Sequence, residues 1–182
     1  TSAMMSEGTT SKTGDQLSNA LQLLGTSVSV SIGGESGSMG FLSTTEKVEP
    51  VLKILEDMLV NPSFPTDGLE RLRARTLVSL TEAKDRTGAI AARVFPKVLY
   101  TEEHPYGRSL NEASAKAITR DDLVAFHKAF FAPGRAIISV VGDVDPAAIR
   151  ATVERVLAPW PGGGTKSSFA YPDVPQPKST TI

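Results

Sequence analysis

The sequence predicts an α+β fold in which helices pack on one face of a mainly antiparallel sheet. Two neighbouring segments within residues 28–43 suit strands and are separated by a glycine-rich turn. Several longer segments repeat apolar residues at helical spacing, and a continuous apolar run from residue 136 predicts one more strand. Strands that follow each other directly favour a hairpin over the alternating strand and helix order of a parallel sheet.

The first predicted elements are a helix and a hairpin. Residues 11–25 place leucine and alanine at helical spacing, and Gly25 supplies the C-terminal stop. Val28, Val30 and Ile32 then alternate with polar residues, which is the period of a half-buried strand. The segment GGESGSMGFLST predicts a turn followed by the second strand.

Helices dominate the middle of the chain. Residues 46–60 form a strongly amphipathic pattern, and the segment NPSFP ends it because proline cannot continue the hydrogen-bond ladder. A long helical stretch from about Asp67 to about Tyr100 is expected to bend or break near Gly88. The segment HPYGRS that follows is expected to be a loop.

The last third of the chain predicts a helix, a strand and another helix. Thr119 and Asp122 form a capping-box-like start for the first of these. The run AIISVVGDV is continuously apolar, which predicts a buried strand. Asp145 and Pro146 supply an N-cap and a first helical residue for a helix that ends near Leu157.

Composition limits the function classes. Of the 182 residues, 40% are hydrophobic and 21% are charged, which is ordinary for a globular domain. A net charge of −1 gives no basic surface for nucleic acid, and no apolar run approaches the roughly 18 residues of a membrane span. The sequence contains no cysteine, which excludes disulfides, thiolate catalysis and cysteine-type zinc sites.

Six short segments occur in an order and spacing that is more specific than any one of them. They are EGT at 7–9, LVNPSF at 59–64, LERLR at 69–73, HPYGRS at 104–109, ITRDDLVAFHKAFFAP at 118–133 and VVGDVDP at 140–146. Together they resemble the insulinase, pitrilysin and mitochondrial-processing-peptidase family of zinc peptidases, the inverzincins. The resemblance covers about residues 1–160.

The resemblance implies a domain organisation and a zinc chemistry. Residues 1–160 are expected to be an incomplete first-half domain that lacks its opening strands, and residues 161–182 a linker or strand towards a second-half domain. Active family members carry H-x-x-E-H shortly before the Gly-Thr pair and a further Glu on a later helix. The two histidines and the later Glu bind Zn²⁺, and the Glu between the histidines is the general base.

The same resemblance places other residues at these positions. Aligned on Gly8-Thr9, Ser2 stands at the general-base Glu and Ala3 at the second histidine. On the long helix, Leu72 stands at a supporting Glu and Ser79 at the ligand Glu. Alanine and leucine offer no lone pair and a neutral serine is a poor zinc ligand, so no catalytic residue, metal site or cofactor is expected. The stretch Ser-Ala-Met-Met is expected to pack as a small apolar replacement.

The resemblance therefore implies a non-catalytic, zinc-less subunit. Its expected partner is a homologous subunit that carries zinc, to which it adds a chamber wall and contacts to a peptide substrate, in the periplasm. Two alternatives stay open: a divergent zinc metalloendopeptidase active in its own right, and a structural scaffold without a proteolytic partner.

The remaining polar residues are expected to be structural, with one exception. His104 and His127 lack a third metal ligand, and the serines of the hairpin have no accompanying base. Four acidic residues suit a solvated surface rather than general acid or base catalysis; they are Glu82, Asp85, Glu102 and Glu103. The exception is the hairpin edge, where a peptide strand can add to the sheet. Its candidate substrate-binding residues are Gly33, Gly34, Gly37 and Gly40.

Overall fold

The computed structural model describes residues 1–162 and 170–174. The helices are α1 (Ser2–Met5), α2 (Gly14–Leu23), α3 (Val48–Val60), α4 (Thr66–Glu82), α5 (Thr87–Tyr100), α6 (Glu112–Ala117), α7 (Arg120–Phe130) and α8 (Pro146–Leu157). The strands are β1 (Val28–Gly33) and β2 (Ser36–Phe41). Short 3₁₀ turns span Thr45–Lys47, Ala83–Asp85, Pro105–Gly107 and Pro133–Arg135. The α+β class is confirmed.

The two strands form an antiparallel hairpin whose turn is set by glycine. Val28 lies opposite Phe41 and Gly33 lies opposite Ser36, so the loop contains only Gly34 and Glu35. Gly34 has φ +56°, the left-handed backbone that the first position of such a two-residue turn requires. The valine and isoleucine side chains of β1 share the half-buried face, and α1 contacts this strand.

The chain divides into two compact units. The first comprises Thr1–Leu69 and Thr119–Thr165, and the second comprises Glu70–Ile118 and Lys166–Ile182. Helix α4 begins in the first unit and continues in the second. Almost all of the buried apolar side chains belong to the first unit, where α3 contacts both α2 and α8.

The core of the first unit is centred on α1 and α3. Met4 and Met5 are fully buried, and one face of α3 buries Val51, Leu52, Leu55, Met58 and Leu59. The predicted helix starts are confirmed: Thr119 and Asp122 form a capping box on α7, and Asp145 accepts a hydrogen bond from the Ala148 amide at 2.7 Å. Each start satisfies amides that the first helical turn leaves without partners.

The second unit buries far less of its apolar surface. Helix α5 contains no buried residue although its composition is apolar, and Ile90, Phe95 and Val98 are exposed on it. The predicted interruption of the long helix is present, but it lies before Gly88 rather than at it. The 3₁₀ turn Ala83–Asp85 and the extended backbone of Arg86 separate α4 from α5, and Gly88 lies in the first turn of α5.

The predicted buried strand AIISVVGDV is wrong. Residues 136–141 form neither strand nor helix, and Ile137 and Val141 are 96% and 95% exposed. A strand exists only when its amides and carbonyls pair with a neighbour, and the described part of the chain supplies none for this run. The linker predicted from residue 161 lies largely outside the described residues.

Candidate functional site

The short helix α1 carries Ser2 and Ala3, two of the four positions that the family resemblance assigns to the zinc motif. Ser2 is half-buried and Ala3 is exposed, whereas Met4 and Met5 are fully buried. The apolar packing predicted for Ser-Ala-Met-Met is therefore formed by its last two residues. Ser2 and Ala3, which the family resemblance places at the general base and the second histidine, offer one neutral hydroxyl between them.

Helix α4 carries the other two positions. Leu72 is half-buried and Ser79 is exposed, seven residues further along the same helix. Between them the Thr76 hydroxyl donates to the Leu72 carbonyl oxygen at 2.8 Å, so its hydrogen-bond donor is used within the same helix. This part of α4 therefore presents hydroxyl and aliphatic groups where the family resemblance implies carboxylates.

The residues present do not fit a catalytic zinc ion. Zinc in proteins takes thiolate, imidazole or carboxylate ligands, and Ser2, Ala3, Leu72 and Ser79 provide none of these groups. Over residues 1–162 and 170–174, no group of three or more His, Cys, Asp or Glu side chains is placed to hold a metal ion.

Two of the segments that carry the resemblance, at 7–9 and 59–64, lie against each other. The Gly8 carbonyl accepts from the Ser63 amide at 3.0 Å, and the Thr10 amide donates to the Asn61 carbonyl at 2.9 Å. Gly8 has φ +149°, and a Cβ there would lie 3.0 Å from Ser63 Oγ. Only glycine suits both the backbone and the close approach. The EGT and NPSF segments are thus one structural joint.

Asp57 on α3 stabilises this joint through hydrogen bonds to its carboxylate. Its carboxylate accepts from Thr9 Oγ1 at 2.7 Å, from Ser11 Oγ at 2.6 Å and from Asn61 Nδ2 at 3.2 Å. Burial alone raises the pKa of Asp57, but these three hydrogen bonds and the Lys12 charge outweigh it, so its pKa lies below the ordinary value. Sequence reasoning missed Asp57, since an acidic residue on an amphipathic helix gives no sign of inward-facing partners.

A second joint connects the segment at 59–64 to α7. Arg120 donates from Nε to the Phe64 carbonyl at 3.1 Å and from Nη2 to the Ser63 carbonyl at 3.0 Å. His127 Nε2 lies 2.8 Å from the Leu59 carbonyl oxygen, and its ring stacks on Phe131 at 5.0 Å. Burial lowers the pKa of His127 and the Leu59 carbonyl opposes this shift. His127 therefore occupies a packing position.

The other predicted histidine lies within an aromatic cluster of the second unit. The ring of His104 is buried and stacks on Tyr100 at 5.1 Å and on Tyr171 at 5.2 Å. Its Nδ1 accepts from the Tyr106 amide at 3.1 Å, which caps the 3₁₀ turn Pro105–Gly107. A Cβ on Gly107 would collide with the Thr101 carbonyl oxygen. The HPYG segment therefore forms the predicted turn, anchored by stacked rings.

Arg73, like Arg120, binds backbone carbonyl oxygens of a distant segment. Its guanidinium donates to the carbonyl oxygens of Ala115, Lys116 and Ile118, the last two at 2.8 Å. These carbonyls belong to the end of α6, where the helix itself offers no donors. Sequence reasoning also missed this contact, because the two segments lie more than 40 residues apart.

The acidic and hydroxyl candidates form no catalytic arrangement. Glu82, Asp85, Glu102 and Glu103 are all exposed, and the Lys97 ammonium lowers the pKa of Glu102 through a hydrogen bond. On the hairpin, Ser31 Oγ and Ser38 Oγ lie 2.9 Å apart, and Ser29 Oγ donates to the Gly40 carbonyl. These hydroxyls join the two strands on the exposed face.

The four glycines of the hairpin separate into two kinds. Gly34 forms the turn, and a Cβ on Gly37 would lie 3.3 Å from both Ile32 Cγ1 and the Ser31 carbonyl oxygen. A Cβ on Gly33 or Gly40 would meet nothing within 4 Å. Backbone geometry and packing therefore account for the first two, while Gly33 and Gly40 leave open space beside the strands.

A sequence profile described as insulinase, peptidase family M16, matches residues 2–112, which is more than half of the chain. The chain belongs to the insulinase family of peptidases. A second profile, described as the peptidase M16 inactive domain, matches residues 117–182. The expected domain boundary at residue 160 stays a prediction.

Relatives of known structure share the fold over nearly the whole chain. The crystal structure of a peptidase M16 inactive domain from Pseudomonas fluorescens is 27% identical, with a TM-score of 0.81 over 97% of this chain and 42% of that one. Pitrilysin is 16% identical, with a TM-score of 0.79 over 96% of this chain and 19% of that one. The periplasmic protease PqqL from Escherichia coli is 17% identical, with a TM-score of 0.78 over 94% of this chain and 20% of that one.

A curated relative is described as a zinc protease. An uncharacterized zinc protease of Rickettsia felis is 23% identical over 168 residues, which cover 91% of this chain and 40% of that protein. This chain thus spans about two fifths of the length of that relative and of the Pseudomonas fluorescens protein. Within the described residues, no helix is both long and apolar enough to cross a membrane.

Proposed function

We propose that this M16 family domain is a non-catalytic part of a zinc metallopeptidase. In this proposal it forms a chamber wall and contacts the peptide substrate, while a homologous partner subunit with H-x-x-E-H supplies the zinc and cleaves the peptide. The observation that carries the proposal is the donor set: Ser2, Ala3, Leu72 and Ser79 stand where the family resemblance implies carboxylates and an imidazole. The match of residues 117–182 to the M16 inactive domain supports it.

The hydrogen bonds within the first unit favour a structural role for its polar side chains over a catalytic one. Inward-facing polar side chains of the first unit form hydrogen bonds within that unit. Asp57 accepts from the Thr9 hydroxyl, and Arg120 donates to the carbonyl oxygens of Ser63 and Phe64. In the described part of the chain, no buried side-chain nitrogen or oxygen lacks a hydrogen-bond partner. A general base or metal ligand needs a lone pair directed at a substrate, and these groups direct theirs at structural partners.

The substrate contact in this proposal is made at the hairpin. A peptide in extended conformation adds a strand along an open sheet edge, where its backbone supplies the affinity. Gly33 and Gly40 leave open space for such an approach, whereas Gly34 and Gly37 hold the hairpin in shape. A periplasmic location belongs to the same proposal and is supported by the description of the PqqL relative as a periplasmic protease.

Zinc content tests the non-catalytic assignment. The purified chain is dialysed against excess Zn²⁺ and then against metal-free buffer, and bound zinc is measured by elemental analysis. We expect less than roughly a tenth of an equivalent, and no chelator-sensitive peptide cleavage by the chain alone. About one equivalent retained through dialysis, together with chelator-sensitive cleavage, would instead establish a zinc metalloendopeptidase active in its own right.

Two glycine variants test the peptide contact. Gly40→Val fills open space on one face of β2 with a side chain that suits a strand, so the hairpin stays folded while the side chains of an added peptide lose the space beside residue 40. Gly88→Ala, also in open space, is the matched control on α5. We expect an extended peptide to slow amide exchange in β1 or β2, and Gly40→Val alone to abolish the effect. Equal protection in both variants would remove the hairpin from the proposal and favour a scaffold role.

A further inference from the structure

Residues 170–174 contact the HPYG turn, at residues 104–107, through an aromatic side chain. They belong to the second unit and form neither helix nor strand. Pro172 disfavours helical backbone at the residue before it, which is Tyr171. The Tyr171 ring lies 5.2 Å from the His104 ring, with 22° between the two planes, and 5.5 Å from the Tyr106 ring. Residues 170–174 are called the strap below.

The strap covers part of a buried histidine. Tyr100, the last residue of α5, stacks on His104 at 5.1 Å with 26° between the planes, and Tyr171 stacks on it at a similar distance and angle. His104 is only 4% exposed, whereas Tyr106 of the same turn is 45% exposed. Aromatic rings stacked at this separation attract each other and exclude water, so removal of the Tyr171 ring opens His104 to solvent.

The orientation of the His104 ring matters because one of its nitrogens caps the turn. Nδ1 accepts a hydrogen bond from the Tyr106 amide at 3.1 Å, and this contact begins the 3₁₀ turn Pro105–Gly107. Rotation about the Cβ–Cγ bond of histidine is intrinsically broad, so the cap depends on neighbours that restrict the ring. The stacked rings of Tyr100 and Tyr171 supply that restriction.

We propose that the strap and the HPYG turn are coupled through His104. While Tyr171 is seated, the His104 ring is held with Nδ1 towards the Tyr106 amide. When the strap leaves, the ring rotates more freely and the cap weakens. Coupling of this kind is reciprocal, so an ordered turn also favours the seated strap. The coupling extends to the end of α5, because Gly107 lies against the Thr101 carbonyl there. It requires neither zinc nor a peptide.

Amide hydrogen exchange of the 182-residue chain, measured by NMR, tests the effect of the strap on the cap. Tyr171→Ala is expected to speed exchange of the Tyr106 amide by roughly fivefold, which is the size of effect that one aromatic pair supports. Tyr171→Phe keeps the ring and is expected to keep the protection. The Ser114 amide is the internal reference, because Asn111 Oδ1 caps it at 2.8 Å in the same unit, and its exchange is expected to stay unchanged.

A double-mutant cycle tests whether the coupling passes through His104. His104→Asn keeps an oxygen acceptor that suits a cap but removes the ring on which Tyr171 stacks. In this background, Tyr171→Ala is expected to leave exchange of the Tyr106 amide unchanged. Reciprocity gives a second readout: His104→Asn alone is expected to lower the NMR order parameters of Asp173 and Val174, because the strap has lost its stacking partner.

Three results would overturn the proposal. One is unchanged exchange of the Tyr106 amide in Tyr171→Ala, which would show that the cap does not need the strap. Another is equal acceleration at Tyr106 and Ser114, which would indicate a general loss of stability in the second unit. The third is an effect of Tyr171→Ala that persists in the His104→Asn background, which would assign it to the contact between the Tyr171 and Tyr106 rings.

Discussion

Replacement of Asp57 by alanine tests whether the joint between residues 7–13 and α3 stabilises the first unit. The substitution removes the shared acceptor of Thr9 Oγ1, Ser11 Oγ and Asn61 Nδ2. A hydrogen bond to an ionised acceptor contributes about 1.5–3 kcal/mol, and the larger part here comes from buried Thr9. We expect Asp57→Ala to lower the free energy of unfolding by about 3 kcal/mol.

Asp57→Asn separates the charge of this carboxyl group from its shape. The amide keeps one oxygen acceptor in the same place but loses the ionised character, so we expect a loss of about 1 kcal/mol at neutral pH. The folded pKa of Asp57 lies below its ordinary value of 3.8. Its stabilisation is therefore complete above that value and is lost as the pH falls through the lower folded pKa. The difference in free energy of unfolding between the original chain and Asp57→Asn should therefore decrease as the pH falls through this range.

Urea denaturation followed by the fluorescence of Trp160 measures both effects. Trp160 is the single tryptophan and lies in the same unit as Asp57, where its indole Nε1 donates to the Phe131 carbonyl. Burial and the Asp57 charge raise the pKa of Glu56, so the pH comparison is made with Glu56→Gln in both chains. A loss below about 1 kcal/mol for Asp57→Ala, or a difference from Asp57→Asn that does not change with pH, would refute the reasoning.

Two further predictions concern the hairpin turn and the histidine of the first unit. Gly34→Ala is expected to lower stability by about 1 kcal/mol because φ is positive there, whereas Gly40→Ala in open space is expected to raise it by roughly 0.5 kcal/mol. Urea midpoints compare the pair, and equal midpoints would contradict the turn assignment. The folded pKa of His127 lies below 6.5, so the unfolded chain binds more protons and stability should fall as the pH drops from 6.5 towards the folded pKa. His127→Gln keeps a donor for the Leu59 carbonyl and should lack this dependence; an unchanged slope would contradict it.

Each of the two units has a stretch of exposed apolar side chains. In the first unit it is the run at 136–141, and in the second it includes Ile90, Phe95 and Val98 on α5. Both stretches have the composition of buried elements, and each lacks cover within the described residues of its own unit. Exposed apolar stretches of this kind are typical of surfaces that contact other polypeptide segments.

Elements whose signals are local were predicted well. The capping box at Thr119, the cap and proline at residues 145–146 and the alternation of β1 each depend on a few adjacent residues, and each is present. The helix break predicted near Gly88 is also present, at the 3₁₀ turn Ala83–Asp85 and the extended Arg86.

The joints that hold the first unit were not predictable, because their partners are distant in the sequence. Asp57 meets Thr9 across 48 residues, and Arg120 meets Phe64 across 56. A periodic pattern shows which face of a helix is apolar, but it does not show which carbonyl a polar side chain on that helix will reach. The six family segments were recognised from their order, and the structure shows that several of them are these joints.

Residue patterns were enough to predict the α+β class and the family, and both are confirmed. The loss of zinc ligands at Ser2, Ala3, Leu72 and Ser79 stays a prediction, which follows from residue types because these decide which side chains can bind a metal. The state of residues 136–141 depends instead on contacts with distant parts of the chain. Their apolar, β-branched composition predicts a strand, but a strand forms when another backbone pairs with it. No described segment does so here, and the apolar side chains of the run are exposed.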